Sequence, residues 1–148
     1  MKKIIIGSDQ GAFELKLKVK DMLENMGYQV TDCGSYDPSS VDYPDIAKDV
    51  CVKVLAENTI GILLCGTGIG MSIAANKING IRCAHCTDTY SAAMAKEHND
   101  ANVIALGARI TGEELAYCII KSWLGAEFQG GRHQVRVNKM MELESLDK

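Results

Sequence analysis

The sequence lacks an excess of charge of either sign, a long apolar run and a second pair of cysteines at metal-ligand spacing. A net charge of -3 over 148 residues, with lysines scattered along the chain, provides neither a basic stripe for nucleic acid nor a polybasic patch for a membrane surface, so small molecules are the expected partners. No run approaches the roughly 20 apolar residues of a membrane span. The opening Met-Lys-Lys-Ile-Ile-Ile-Gly has too short an apolar run for a signal peptide, which makes a cytoplasmic location the expectation. There is no internal repeat, and residues 1–148 are expected to form a single domain that buries a full core without disulfide or metal. Six cysteines, at 33, 51, 65, 83, 86 and 118, lie mostly in apolar segments, as reduced core thiols do. Cys83-Ala-His-Cys86 has the spacing of a metal knuckle, but a structural zinc site needs a second ligand pair. Alternate strand residues also point to opposite faces, so Cys83 and Cys86 are expected to diverge and no metal is expected.

What is present is an alternation of strand and helix. Ile4–Ile6, Val30–Cys33, Ile60–Leu64, Ile81–Ala84 and Val103–Leu106 are short, rich in β-branched residues and read as buried parallel strands. Between them, Leu15, Val19, Met22, Leu23 and Met26 recur at helical spacing, with Glu14, Lys16, Lys18, Lys20 and Glu24 on the opposite, solvated face. Ala47, Val50, Cys51, Val54 and Leu55 repeat the pattern after Pro44, as do Leu115, Ala116, Ile119, Ile120 and Trp123 after Thr111. The fold class predicted is α/β: a three-layer, doubly wound, five-stranded parallel sheet of Rossmann-like architecture, with ligands bound beyond the carboxyl ends of the strands. The tail from Gly130 reads as a final helix whose Val135, Met140 and Leu143 are placed to cover a neighbouring subunit.

The most reactive-looking segment is Cys65-Gly66-Thr67-Gly68-Ile69-Gly70, between a predicted strand and the helix-forming Met71–Lys77. Glycines allow backbone amides to approach a ligand, and the unpaired amides of a helix's first turn favour anions. The same field favours thiolate over thiol, which makes Cys65 a candidate base or nucleophile. Nucleotide binding is disfavoured. The glycines at 66, 68 and 70 put the third one residue early for a dinucleotide fingerprint, and no Gly-Lys-Ser/Thr ending follows as a P-loop requires. A cysteine phosphatase would carry arginine six residues after its nucleophile, where this chain has Met71. The longest aperiodic stretch, Gly34–Tyr43, reads as a loop over the site.

Cations and histidines provide the remaining candidates. Arg132 and Arg136 fall on one face of a helix, suited to clamping phosphate, although exposed pairs at this spacing ordinarily serve only solubility. Arg109, just past the fifth strand, lies on the expected ligand edge. His98 follows the helical stretch Tyr90–Glu97, where a helix C-terminus favours imidazolium and a proton-donor role, the alternative being a simple cap. His85 reads as a packing or backbone-bonded residue.

Taken together, Gly7-Ser-Asp9, Asp42-Tyr43-Pro44, Cys65–Gly70, Ala74-Ala-Asn-Lys77, Glu97–Val103 and Gly130-Gly-Arg-His133 with Arg136 closely resemble the type B ribose-5-phosphate isomerases, whose wider family includes galactose- and allose-6-phosphate isomerases. The resemblance implies a cofactor-free aldose–ketose isomerase of carbohydrate metabolism that moves a proton between C2 and C1 through an enediolate. It implies Cys65 as base, positioned by Thr67. The amides of Gly66, Gly68 and Gly70 with Asn99 would hold the enediolate oxygen, and His98 would be the ring-opening acid. Asp9 would meet sugar hydroxyls, Tyr43 would line the site, and Arg109, Arg132 and Arg136 would bind phosphate. It also implies a homodimer or tetramer with sites shared between subunits. One departure is Gln10, where many members have a histidine near the substrate: glutamine can donate a hydrogen bond but carries no proton or charge. Another sugar phosphate, of six or four carbons, and a non-catalytic sugar-phosphate-binding module are the alternatives.

Overall fold

The computed structural model describes residues 2–36 and 39–146, so Asp37 and Pro38 of the predicted loop, and the extreme termini of the predicted 1–148 unit, lie outside the described residues. Strands β1 (Lys3–Ser8), β2 (Gln29–Asp32), β3 (Ile60–Cys65), β4 (Cys83–His85) and β5 (Val103–Gly107) form one all-parallel sheet in the order β2-β1-β3-β5-β4. Helices α1 (Phe13–Asn25), α2 (Tyr43–Ala56), α3 (Ile69–Asn76), α4 (Thr89–Glu97), α5 (Glu113–Leu124) and α6 (Arg132–Glu142) follow the strands in turn.

The strands alternate between two apolar layers, which is what period-two side-chain geometry requires when both faces are covered. Ile4, Ile6, Ile62, Leu64, Ile104 and Leu106 face α1, α4 and α5, joined by Leu15, Val19, Leu23, Ala95, Ile119 and Trp123. Ile5, Leu63, Cys65, Val103 and Ala105 face α2 and α3, joined by Ile46, Val50, Val54 and Met71. Each such fully buried aliphatic side chain contributes about 1.5–3 kcal/mol relative to exposure, against the entropy of ordering the chain. Cys83 packs against the second layer and Cys86 sits in the first, so the two thiols diverge as alternation predicts. Burial pushes the Cys51 and Cys83 thiols each up to about 12 and Cys86 to about 11, so these are inert packing groups.

Two expectations are corrected. The fourth strand starts at Cys83 rather than Ile81, because Ile81 N closes a turn onto Ile78 O, and Arg82 N donates to the Asn102 side chain at 2.8 Å rather than to a strand partner. Lys16 is not solvated: it is fully buried, and its ammonium donates to Asp32 Oδ1 at 2.9 Å and to the Ser35 carbonyl. The Phe13 ring lies 5.1 Å and the Tyr36 ring 5.8 Å from its Nζ. A buried ammonium is tolerable here because a carboxylate, a carbonyl and two ring faces replace its water. Removing one partner of such a pair typically costs about 3–5 kcal/mol. Asp32→Ala is therefore expected to lower Tm by roughly 6–20 °C in a chain of this size, read by thermal unfolding; a drop under about 2 °C would mean that the pair contributes nothing net.

Candidate functional site

The sheet order reverses direction at β1: the chain steps from β1 outward to β2 and returns on the other side at β3. A crevice therefore opens beyond the carboxyl ends of these two strands. A cleft of about 390 Å³ lies there, lined by Asp9, Gln10, Gly11, Tyr43, Cys65, Gly66, Thr67, Ile69, Gly70 and Arg109.

Cys65 is the last residue of β3, 5% exposed, and the Gly68 backbone amide donates to its sulfur at 3.1 Å. This amide can be aimed at the sulfur because Gly68 has a φ of +84°, in the left-handed region. A Cβ there would also lie 2.8 Å from the His85 ring and 2.9 Å from the Leu106 carbonyl carbon. His85 Nε2 in turn bonds the Thr67 carbonyl at 2.8 Å, the backbone-bonded role expected of it. The Thr67 hydroxyl accepts from Ile69 N at 3.2 Å, in the first turn of α3. A turn closed on both sides in this way keeps the thiol in one place, as proton transfer to carbon requires.

The exit of β5 is bonded to the exit of β3. Ala108 N donates to Cys65 O at 2.8 Å and Arg109 N to Gly66 O at 2.9 Å, which brings the Arg109 side chain over the glycine loop. Gly107 makes this approach possible, since a Cβ on it would lie 2.4 Å from the Thr67 carbonyl carbon. Gly107→Ala is expected to cost about 1–3 kcal/mol by overpacking. That corresponds to a Tm roughly 2–12 °C lower. An unchanged Tm would show that the Thr67 turn yields freely.

Asp9 caps the short 3-10 turn Gln10–Ala12, accepting from Ala12 N at 3.2 Å, which leaves its other oxygen for the cleft. Gln10 accepts from Val41 N at 3.1 Å and so holds the loop before α2 over the site. Tyr43 opens α2, and its ring lies where a Cβ on Gly70 would be, 2.7 Å from the ring carbons. Among the described residues lining the cleft, Asp9 is the one carboxylate and Arg109 the one cation.

His98, Asn99, Arg132 and Arg136 do not line this cleft. In a parallel βαβ unit the helix runs antiparallel to its strands, so the end of α4 returns to the amino-terminal edge of the sheet, opposite Cys65. Asn99 therefore does not join Gly66 to Gly70 within one chain. Instead, His98 stacks on His133, with ring centroids 4.2 Å apart and planes 6° apart, which places it beside the exposed Arg132 and Arg136 of α6. Burial, then the neighbouring His98, Arg132 and Arg136, lower the pKa of His133 from the usual histidine value. The first cluster can take a proton from carbon beside an oxygen held by amides; the second offers an imidazole and two guanidinium groups.

The sequence placed Gly11, Ile69 and Gly107 in the loops at the ligand edge but gave none of them an individual role. Gly107 follows directly on a predicted strand, a signal that was there to be used. Among the described residues no group of three or more His, Cys, Asp or Glu is placed to hold a metal, and no helix is long and apolar enough to cross a membrane.

The sequence profile described as Ribose/Galactose Isomerase matches residues 4–140. The chain is 46% identical over 145 residues to ribose-5-phosphate isomerase B of Escherichia coli strain K12, covering 97% of each chain. It is 50% identical over 151 residues to D-erythrulose-4-phosphate isomerase of Pectobacterium atrosepticum, covering 100% of this chain and 99% of that one. Its fold matches the solved ribose-5-phosphate isomerase B of Clostridium thermocellum with a TM-score of 0.94 at 52% identity, over 96% of this chain and 97% of that one.

Proposed function

The chain belongs to the ribose/galactose isomerase family, and we propose that it interconverts ribose 5-phosphate and ribulose 5-phosphate through an enediolate, without a cofactor. The observation that carries this reading is the Cys65 sulfur, held 3.1 Å from the Gly68 amide at the mouth of a cleft that also contains Asp9 and Arg109. As thiolate, Cys65 removes the C2 proton of the open-chain aldose and returns it to C1, while the C2 hydroxyl proton passes to the C1 oxygen. Charge that develops on the C1 oxygen is met by the amides of the Gly66–Gly70 turn and by Asn99. Thr67 fixes that turn, Asp9 and Gln10 meet sugar hydroxyls, and Tyr43 shuts the side of the cleft.

His98 gives a proton to the ring oxygen as the furanose opens, and Arg109, Arg132 and Arg136 hold the phosphate. Because His98, Asn99, Arg132 and Arg136 lie at the opposite edge from Cys65, the working site is shared: each copy gives its second cluster to the other's cleft. Exposed apolar side chains on the two helices next to these clusters support such pairing, namely Ile69 and Ile73 on α3 at 50% and 56% exposed, and Val135 and Met140 on α6 at 55% and 40%. Mixing Cys65→Ala subunits with His98→Gln subunits, each inactive alone, is expected to restore about a quarter of wild-type activity, since half the dimers are mixed and each holds one intact site. No recovery after verified subunit exchange would place all catalytic groups in one chain.

A four-carbon sugar phosphate is the second reading, supported by the 50% identity to D-erythrulose-4-phosphate isomerase of Pectobacterium atrosepticum. The deciding measurement is proton NMR in deuterium oxide with ribose 5-phosphate, allose 6-phosphate, galactose 6-phosphate and erythrose 4-phosphate in parallel, ranked by kcat/KM. Ketose formed fastest from ribose 5-phosphate supports the first reading, and faster conversion of erythrose 4-phosphate the second. Thermal stabilisation by these sugars without any ketose would leave a binding module.

A further inference from the structure

The turn that carries His98 and Asn99 directly follows α4. Three residues beyond the end of α4, Asp100 adopts the left-handed conformation, φ +48°, unusual for a residue other than glycine. Asp100 N donates to Lys96 O at 3.2 Å and Ala101 N to Ala95 O at 3.0 Å, which turns the Asn99 and Asp100 carbonyls away from the helix. A single side chain satisfies both. Arg82 Nε donates to Asn99 O and to Asp100 O, each at 3.1 Å, and Arg82 Nη2 donates to Asp100 O at 2.8 Å and stands 3.5 Å from Asp100 Oδ2. Arg82 Nη1 reaches Met141 Sδ at 3.7 Å, on the helix that carries His133, Arg132 and Arg136.

The base of this guanidinium is itself held. Asn102 accepts from Arg82 N at 2.8 Å and donates to Gly80 O at 2.9 Å, while Asn102 N and Val103 N donate to Arg82 O at 3.1 and 3.3 Å. A planar group with fixed donors at a helix C-terminus meets two carbonyls and favours the negative end of the helix dipole at once, which a flexible ammonium does less well.

We propose that Arg82 is a positioning residue for the proton-donor half of the site: its guanidinium fixes the His98–Asn99 turn and docks it against α6, so that imidazole, amide and arginines arrive together at the partner's cleft. This rests on the shared-site isomerase reading above. Arg82 itself touches no reacting atom.

The test uses the full chain as Arg82→Met and Arg82→Lys. Misplacing a catalytic group by about 1 Å costs on the order of 10²-fold, so R82M is expected to lose roughly 30- to 100-fold in kcat on ribose 5-phosphate, with R82K intermediate. A general loss of stability would lower activity whatever the partner, whereas a positioning role follows the half-site. R82M mixed with Cys65→Ala is expected to reach the same quarter of wild-type activity as the Cys65→Ala plus His98→Gln mixture, because its intact Cys65 is served by an undisturbed His98. R82M mixed with His98→Gln is expected to stay at or below the activity of R82M alone.

Equal recovery in both mixtures, or wild-type kcat in R82M, overturns the proposal. Failure of the Cys65→Ala plus His98→Gln control would instead strike the shared-site reading. In that case the His98 imidazole nitrogen resonances of R82M and wild type decide alone: a shift with altered titration supports the positioning role, and coincident spectra overturn it.

Discussion

Replacing Cys65 with alanine is expected to lower kcat on ribose 5-phosphate by about 10³- to 10⁴-fold, the upper part of the range that one positioned acid–base group contributes. The reason is local. Asp9 is the one carboxylate among the described residues lining the cleft, and it is engaged in capping Ala12 N at 3.2 Å. Arg109 is permanently charged and takes no proton, and the remaining polar side chain that titrates there, Tyr43, carries a phenol, which donates rather than accepts a proton. The fold should barely register the change. Removing one sulfur from a 5% exposed position costs about 1 kcal/mol of transfer free energy, or a Tm about 2–4 °C lower.

Substrate binding should also survive, since Cys65 takes no part in holding the phosphate. Ribose 5-phosphate at about 100 times its Kd should still stabilise the variant by about 2.7 kcal/mol. Loss of turnover together with retained ligand-induced stabilisation is the signature of a missing base. Cys65→Ala with near-wild-type kcat and unchanged folding would move the base to Asp9, and Asp9→Asn would then have to be the dead variant. Serine should not substitute, because a hydroxyl with the geometry of the thiol is far less acidic than the thiol it replaces.

What the sequence disclosed and what it withheld follow from the range of the interactions involved. All five strands were visible as short β-branched runs, and the cleft followed from strand order once Asp9, Cys65 and Arg109 fell at carboxyl ends. Pattern failed where a partner came from a distant element. Lys16 sits on a helix face that reads as solvated, and only the fold brings Asp32 and Ser35 against it. Ile81 has a strand's composition, yet Asn102 diverts the backbone beside it into a turn.

The division of the site was legible in principle. A helix between two parallel strands must deliver its C-terminus to the amino edge, so His98 and Cys65 could not meet within one chain. Family likeness implied a site shared between subunits but left open which copy supplies which residue, because a motif records which residues cooperate and not which copy carries them.

The second large effect is expected to depend on the substrate's ring. Ribose 5-phosphate is held as a furanose through its C4 hydroxyl and must open before C2 can be deprotonated. Ribulose 5-phosphate has its C5 oxygen esterified and cannot close a five-membered ring, so it enters the site already acyclic. If His98 acts on the ring oxygen, His98→Gln should lower kcat/KM for ribose 5-phosphate by about 10²- to 10³-fold. Exchange of the C1 hydrogen of ribulose 5-phosphate with deuterium oxide needs only Cys65 and the oxyanion donors, and should keep most of its wild-type rate. Cys65→Ala should abolish both. Erythrose 4-phosphate, its C4 oxygen esterified, is acyclic as well and should resist His98→Gln in the same way, so an enzyme suited to four-carbon substrates would have little chemical use for this residue. Equal losses in ring opening and in exchange would assign His98 to the enediolate step beside Asn99, and ring opening would then fall to another group in the cleft.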